Sequence, residues 1–501
     1  MKKQISIISA VVTTALIAGL TAMPVFAETQ EKDETTASIQ VYTGFSFQQE
    51  WSEEAGRALA QSVCPRAALD DETAAAWPEL EKAFAALNEE KKKDADETYQ
   101  TTLADAKERL LEDPEYPTTF TDSESFCVVR ADSRIVSLLS VYNGYTGGAH
   151  GYEGFSGVNI DPASGKTLAL SDVVTDSATF TALVKEELLR LYPDVDKDLT
   201  DRYFEETAID DMIWTAACDG VTCYFNAYTL GAYALGYQIV PITFAGNEAL
   251  FTEAVMDAPD SFGIEFPMRF PVKLGGRDIL VTGTPSKYGS YDSLSIYLDG
   301  EENRFEDDIY TYAVHPTYFS VEGEEYLMLE YSEDNDYRYI DLYRLGEKVE
   351  RIGLEDLSRA GIYKEEMGNT AYAALTDPEH LPLSKRTDLL GTASIVRSSR
   401  LHEDGAITPE EPYFRYIGTR VLTTNEDLTC KEADEAGTVT GDLTLPAGTK
   451  LTPFRTDNES IVDLRTDDGR IARVEVTSGS YPQTIDGKDI SEIFDGVRFA
   501  G

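Results

Sequence analysis

Short runs that alternate apolar and polar residues, separated by turn residues, recur through the middle of the chain. Between residues 272 and 345 they include Ser293–Leu298 and Glu325–Tyr331, and acidic or glycine-containing segments separate them. A period of two places successive side chains on opposite faces of a strand, and such runs joined by turns are typical of antiparallel sheet. We therefore predict a β-rich middle domain over residues 262–412.

Helical periodicity is confined to two stretches before this region. From Pro78 to Leu110, apolar residues recur at helical spacing, and the proline suits a first helical turn. Phe180 to Tyr192 has the pattern of a second amphipathic helix, and Ile39 to Phe47 alternates like a half-buried strand. We therefore predict an α+β chain whose amino-terminal part is a mixed α/β module with an antiparallel sheet.

The size of the chain allows several folded units. Its 501 residues correspond to roughly two to four domains at about 100–200 residues each. Hydrophobic residues make up 42% of the chain and aromatic residues 10%, which is enough to pack several cores. This composition excludes a wholly disordered chain.

The start of the chain resembles an export signal. Lys2 and Lys3 precede an apolar run from Ile5 to Leu20, and Val25 and Ala27 supply the small residues of a signal-peptidase site. We predict a signal peptide over residues 1–27 and a secreted or envelope-associated protein of the Gram-positive type. The alternative is an uncleaved anchor, although the run is shorter than the ~20 apolar residues of a membrane span. We expect no membrane span in the mature chain.

The charge of the chain restricts its partners. Acidic residues outnumber basic ones by 90 to 43, which gives a formal net charge of -47. The field of such a body repels polyanions, so a nucleic-acid partner is disfavoured. A cationic partner would be attracted, although the same charge could simply maintain solubility.

Five cysteines in an exported chain permit disulfides without dictating them. Cys218 and Cys223 flank a turn between two strand-like runs, so we predict a cross-strand bridge that clips a hairpin. Cys64 with Cys127 is the other candidate pair, which would leave Cys430 unpaired. The alternative is that all the thiols are reduced, since connectivity cannot be deduced from sequence.

The sequence lacks the common catalytic signatures. It has four histidines far apart in the chain and contains no H-E-x-x-H, no G-x-S-x-G and no S-x-x-K motif. We therefore predict no catalytic residue, no metal site and no cofactor.

Two loops are candidate binding surfaces, the glycine-dense segment from Tyr142 to Gly151 and the tyrosine-rich segment from Tyr224 to Tyr237. Tyrosine provides a large contact area at little entropic cost. The predicted binding residues are Tyr145, Gly147, Gly148, His150, Tyr228 and Tyr233. The structural alternative is that both glycines adopt dihedrals closed to other residues while the histidine bonds to the turn. A catalytic base at His150 would need a nucleophile and an orienting partner that the sequence does not name.

These loops and their order resemble a known family. Tyr145-Thr146-Gly147-Gly148-Ala149-His150, followed by Leu170-Ser171-Asp172-Val173 and later by Gly231-Ala232-Tyr233, is similar to the extracellular domain of RsiV-like, lysozyme-sensing anti-sigma factors, which also accompanies peptidoglycan deacetylases. The resemblance runs from near Ile39 to Phe244, with Ala232 standing where family members commonly have proline. It implies a partner such as a cationic, lysozyme-like protein.

The end of the chain has a weaker resemblance. Short strand-like runs over residues 416–501, with a proline-glycine turn and a later hairpin turn, look like the small SH3-like barrels of bacterial envelope proteins. The alternative is a β-sandwich fragment continuous with the middle domain. The predicted boundaries are 28–125 for an amino-terminal α/β segment, 126–247 for the RsiV-like domain, 262–412 for the β-rich middle domain and 416–501 for a small β-barrel.

Together these patterns predict a secreted or envelope-associated, non-catalytic protein that binds a lysozyme-like cationic protein. The competing hypothesis is a peptidoglycan- or glycan-binding accessory, or a component of a wall-processing enzyme, in which the tyrosines hold a sugar chain.

Overall fold

Residues 36–286, 290–305, 311, 313–332, 337–364, 369–418, 420–477 and 482–500 are described by a computed structural model. The predicted signal peptide lies outside these ranges. Strands account for 48% of the structure and helices for 20%, so the fold is mostly β. Within the described ranges the strands form six sheets, the largest with eight and twelve strands.

The amino-terminal elements are two long strands, a helical crossover and a second group of strands. In order they are β1 (Tyr42–Ser52), β2 (Arg57–Ala68), α1 (Asp71–Ala76), α2 (Pro78–Glu112), β3 (Phe120–Ala131), β4 (Val136–Tyr145), β5 (Tyr152–Asp161) and β6 (Lys166–Thr167). The predicted long helix is present as α2, which begins at the proline and buries Leu80, Phe84 and Tyr99 against the sheet. Its other faces are polar. No helix in the described part of the chain is both long and apolar enough to cross a bilayer.

The next segment is a small helical and three-stranded layer. Its elements are α3 (Leu170–Val173), α4 (Ser177–Leu191), α5 (Lys197–Glu206), β7 (Ile213–Ala216), β8 (Gly220–Phe225), β9 (Gln238–Thr243) and α6 (Glu253–Met256). The second predicted helix is α4, where Asp176 accepts the backbone N–H groups of Ala178 and Thr179 and so caps the first turn. Its buried side chains, Phe180 among them, pack on the β7–β9 sheet.

The middle region is the predicted series of antiparallel strands. It comprises β10 (Phe262–Glu265), β11 (Val272–Leu274), β12 (Arg277–Pro285), β13 (Tyr291–Leu298), β14 (Glu301–Phe305), β15 (Ala313–Val321), β16 (Glu324–Ser332), β17 (Arg338–Leu345), β18 (Val349–Glu355), β19 (Ser358–Arg359), β20 (Gly361–Lys364) and β21 (Asn369–Ala373). Strands β11–β14 form one sheet, and β10 with β15–β18 form another. Buried apolar side chains of both sheets share one core.

The remaining elements are short strands and one helical turn. They are β22 (Leu381–Thr387), β23 (Ala393–Leu401), β24 (Ile407–Pro409), β25 (Phe414–Tyr416), β26 (Leu422–Thr424), β27 (Leu428–Ala433), β28 (Val439–Leu445), β29 (Lys450–Thr456), β30 (Ile461–Thr466), β31 (Ile471–Glu475), β32 (Thr484–Ile485), β33 (Lys488–Asp489), α7 (Ile490–Ile493) and β34 (Phe494–Asp495).

The prediction of a small carboxyl-terminal β-barrel is wrong. Strands β27–β31 belong to the twelve-stranded sheet, and β25 joins β29 to β23, which lies within the predicted middle domain, 262–412. The main path of this sheet runs open from β19 to β28 in the described residues. A barrel requires its first and last strands to pair, whereas here strands from residues 358–401 extend the sheet instead. The fold class is therefore corrected from α+β with a barrel to mostly β with several sheets.

The eight-stranded sheet is mixed rather than antiparallel. Its order is β20-β21-β1-β2-β3-β4-β5-β6, and β2 pairs with β3 in parallel. A parallel pair needs a crossover connection, which α1 and α2 provide. The same sheet takes in β21, because Tyr42 and Thr43 pair with Ala373 and Tyr372.

Two buried arginines connect these layers. Arg130 on β3 bonds to the Asp132 carboxylate at 2.5 Å and to the Val255 carbonyl at 2.6 Å, which ties the sheet to α6. Arg359 donates to Glu265 at 3.1 Å and to Glu330 at 2.7 Å. Buried charges are retained where each has a partner, so both sites fix the positions of neighbouring sheets.

Candidate binding site

Two loops that are distant in the sequence meet beside the eight-stranded sheet. The first joins β4 to β5 over residues 146–151, and the second lies between β8 and β9 over residues 226–237. Asn226 holds the second loop on β5, since its side chain accepts the Phe155 N–H at 2.8 Å and donates to the Phe155 carbonyl at 3.0 Å. The Tyr233 hydroxyl donates to the Gly151 carbonyl at 3.2 Å, which joins the loops directly.

His150, Tyr228 and Tyr233 form an aromatic cluster where the loops meet. The rings of His150 and Tyr233 are stacked, with centroids 4.0 Å apart and planes 15° apart. The Tyr228 ring lies 5.4 Å from that of Tyr233. The structure thus brings together three of the six residues that the sequence singles out.

Both ring nitrogens of His150 have partners. Nδ1 lies 2.7 Å from the Gly151 carbonyl oxygen, and because a carbonyl can only accept, Nδ1 carries the proton. Nε2 lies 3.4 Å from the Tyr228 hydroxyl oxygen, and either of these two atoms can donate. The imidazole held in this way offers a ligand a flat ring.

Tyr228 is an exposed member of the aromatic cluster. Its side chain is 62% exposed, and its φ of 72° lies in the left-handed region. That conformation costs a non-glycine residue about 1–2 kcal/mol. Strained backbone persists where the surroundings over-determine it, and it occurs often at functional sites. The strain here supports the choice of this loop as a binding surface.

Tyr145, Gly147 and Gly148 lie beside the aromatic cluster rather than in it. The hydroxyl of Tyr145 is 3.0 Å from the hydroxyl of Tyr116 and donates to the Gly148 carbonyl at 3.0 Å. Phe120 meets both tyrosine rings edge to face. Tyr145 therefore supports the base of the first loop.

Gly147 and Gly148 differ in whether another residue could replace them. Gly147 has a φ of 86°, and a Cβ there would lie 2.5 Å from Cζ of Phe120. Gly148 lacks a left-handed φ, and a Cβ there would lie 3.7 Å from the His150 carbonyl oxygen. The prediction that both adopt dihedrals closed to other residues therefore holds for Gly147 alone.

Sequence reasoning missed an ionisable pair that follows the first loop. The Tyr152 hydroxyl donates to Asp122 at 2.6 Å. Burial raises the pKa of Asp122 above its usual range, and the hydrogen bond from Tyr152 partly opposes this. Tyr152 is 36% exposed and comes directly after Gly151, so its place near a glycine-rich loop was the available signal. Its partner Asp122 belongs to β3 and carries no such signal.

The other tyrosines of the second segment are structural. Tyr224 is buried and its hydroxyl lies 3.0 Å from that of Thr215. The ring of Tyr237 packs 5.1 Å from Phe155 and 5.0 Å from Phe270. β8 ends at Phe225, so Tyr224 is a strand residue and Tyr228 belongs to the second loop.

The expected disulfide between Cys218 and Cys223 does not form. Cys223 on β8 pairs across the hairpin with Trp214, while Cys218 lies in the turn. Their side chains join different cores, and burial raises the pKa of each thiol to about 12. All the cysteines lie within the described residues and are free thiols, so the alternative pair, Cys64 with Cys127, is not bonded either.

The described residues contain no group of three or more histidine, cysteine, aspartate or glutamate side chains arranged to hold a metal ion. The aromatic cluster offers a ligand stacking, apolar contact and hydrogen bonding.

Among known proteins, similarity to this chain was found only in solved structures. No protein-family model and no curated protein matches the chain. One solved structure, a DUF3298 family protein of Bacteroides fragilis NCTC 9343, has 16% identity and a TM-score of 0.35, covering 44% of this chain and 98% of its own. Another, a DUF3298 family protein of Pseudomonas aeruginosa PAO1, has 17% identity and a TM-score of 0.30, covering 43% and 96%. The structural neighbours are thus members of a domain family of unknown function.

Proposed function

We propose that this chain is a secreted or envelope-associated binding protein that captures a cationic protein of the lysozyme type through the aromatic cluster. The observation that carries the proposal is the stack of His150 on Tyr233, which two sequence-distant loops build at the surface. Such a preformed aromatic surface binds with little loss of side-chain entropy, because few rotamers remain to be fixed.

Charge supports a cationic partner. The net charge of -47 attracts positive proteins over long range and speeds their encounter. The aromatic cluster then supplies the short-range fit, since tyrosine is enriched among residues that dominate interface energies. The choice of a lysozyme-like partner rests on the sequence resemblance, which the charge does not replace.

A glycan ligand is the second candidate, and the exposed ring of Tyr228 is the observation that favours it. A flat aromatic face with polar groups beside it suits stacking against a sugar ring. Nε2 of His150 and the Tyr228 hydroxyl could then hydrogen-bond to sugar hydroxyls.

A pull-down at two salt concentrations separates these candidates. The purified chain is incubated with lysozyme and, separately, with insoluble peptidoglycan. We expect lysozyme capture that weakens as salt rises, because exposed charges are screened within about 10 Å at 0.1 M salt. Peptidoglycan binding that does not change with salt concentration would favour the glycan ligand. If the chain binds neither lysozyme nor peptidoglycan, the proposed function is refuted.

Single substitutions locate the binding surface. We expect Tyr228→Ala and Tyr233→Ala each to reduce capture about tenfold or more, as truncation of an aromatic contact residue at an interface centre does. Tyr363→Ala is the matched control, since that tyrosine is 67% exposed on β20. Equal losses in all three variants would show that the aromatic cluster is not the contact surface.

A further inference from the structure

Strand β1 leaves most of one edge open. It pairs with β2 from Tyr42 to Ser52. On its other side it pairs with β21 through Tyr42 and Thr43 alone. Among the described residues, no strand pairs with that side from Gly44 onward. An open edge presents backbone donors and acceptors that can template a further strand.

The direction of these backbone groups follows from one hydrogen bond. The Ala374 N–H donates to the Val41 carbonyl at 2.8 Å, so the backbone N–H and C=O of Val41 point away from β2. Because backbone groups alternate in direction along a strand, Phe45, Phe47 and Gln49 also point theirs to the open side. Pro65, which has no N–H, stands opposite Phe45, as expected where a residue pair makes no ladder bond.

Two of these residues belong to an exposed aromatic stripe. Phe45, Phe47 and Trp51 are 42%, 49% and 55% exposed, and they share one face of β1 with the polar Gln49, which lies between Phe47 and Trp51. On the opposite face the side chains are half-buried, and Gln48 donates to Asp96 of α2 at 2.6 Å. Exposed aromatic side chains and open backbone groups therefore coincide on one edge.

This edge lacks the devices by which proteins usually protect an open strand. Natural edges carry lysine, proline or inward charges that prevent further pairing. The segment from Gly44 to Gln49 contains no charged residue and no proline. A bulge in the β1–β2 ladder comes only at Glu50 and Trp51, near the end of the strand.

We infer that the open edge of β1 binds an extended, cationic peptide segment as an added strand. The open backbone groups can hydrogen-bond to an added strand, and apolar side chains at alternate positions of the peptide can pack on the two phenylalanines. The acidic body favours lysine or arginine at the remaining positions, and the exposed Glu53 and Glu54 lie at the end of the edge. A second copy is disfavoured, because both copies would carry -47. This site is separate from the aromatic cluster and goes beyond the proposed function.

A synthetic peptide tests this inference on the intact chain. The probe is a fluorescent peptide of about ten residues that alternates lysine and valine, which covers the edge at ~3.3 Å per residue. Its control replaces each valine by glycine, keeping the charge and weakening the strand. We expect binding by fluorescence anisotropy, a blue shift of Trp51 emission and at least about fivefold tighter binding than the control. Equal affinities, or no binding, would overturn the inference.

Edge variants decide where the peptide lies. Gln49→Pro removes an outward N–H without touching the β1–β2 ladder, and Gln49→Ala is its matched control. We expect the proline variant to bind about fivefold more weakly than the alanine variant, which corresponds to one lost hydrogen bond. Equal affinities would contradict edge pairing.

Hydrogen exchange in the unmodified chain gives an independent readout. We expect the amides of Phe45, Phe47 and Gln49 to exchange quickly without the peptide and to become protected with it, while those of Ser46 and Gln48 stay protected throughout. Unchanged exchange at the outward amides would overturn the inference. So would a dimer of the chain that buries the same edge in the absence of peptide. Normal lysozyme capture by the Gln49→Pro variant would show that the two sites are separate.

Discussion

Replacing Gly147 by alanine tests whether the first loop depends on one left-handed residue. The φ of 86° costs an alanine about 1–2 kcal/mol. The new Cβ would also lie 2.5 Å from the ring of Phe120, which is 2% exposed and meets Tyr116 and Tyr145 edge to face. The ring has little room to move, so overpacking adds about 1–3 kcal/mol. We expect a total loss of about 2–5 kcal/mol.

Gly148→Ala is the matched control one residue away. It has no left-handed φ and no contact closer than 3.7 Å, so we expect a change within about 0.5 kcal/mol. Urea denaturation followed by circular dichroism measures both variants, and hydrogen exchange over residues 145–151 shows whether the loss is local. If the two variants lose equal stability, the conformational role assigned to Gly147 is wrong.

Three further predictions concern a buried ion pair, the hydrogen bond of Tyr152 and the cysteines. Arg130→Met leaves the buried Asp132 carboxylate without its ion-pair partner and should cost about 3–5 kcal/mol of unfolding free energy. The control Arg134→Met removes a half-exposed ion pair and should cost under about 1 kcal/mol. The midpoints of urea denaturation compare the two variants. Tyr152→Phe removes the hydrogen bond that lowers the pKa of Asp122, so burial should raise that pKa further, as carboxyl-carbon NMR titration would show. Alkylation of the unfolded chain without reductant should label all five cysteines, and a mass lower by two labels would restore the disulfide.

The candidate site was partly accessible to sequence reasoning. Glycine density and clustered tyrosines indicated both loops, because these residues mark special backbone conformations and contact surfaces. The stack of His150 on Tyr233 could not be predicted, because Gly151 and Tyr233, whose hydrogen bond joins the loops, are 82 positions apart in the sequence. Nothing local in the sequence states that Asn226 will bond to Phe155 and bring the loops together.

Cysteine pairing failed as a prediction for a related reason. Two cysteines on either side of a turn suggested cross-strand neighbours, but the hairpin register places Cys223 opposite Trp214. A shift of register changes which side chains face each other and which face of the sheet they occupy. Register depends on the cores on both sides of the hairpin, which the turn residues alone do not specify.

Local elements could be predicted from the sequence, because helical and strand periodicities and turn residues act over a few positions. These patterns predicted α2 from its proline onward, α4, and antiparallel strands in the middle region. The pairing of strands into sheets depended on tertiary packing. The carboxyl-terminal strands extend an open sheet through β25 instead of closing a barrel, and β21 joins β1 for two residues and leaves the rest of that edge open. Sheet partners depend on packing between segments that are distant in the sequence, as Tyr42 and Ala373 are, and local patterns do not specify that packing.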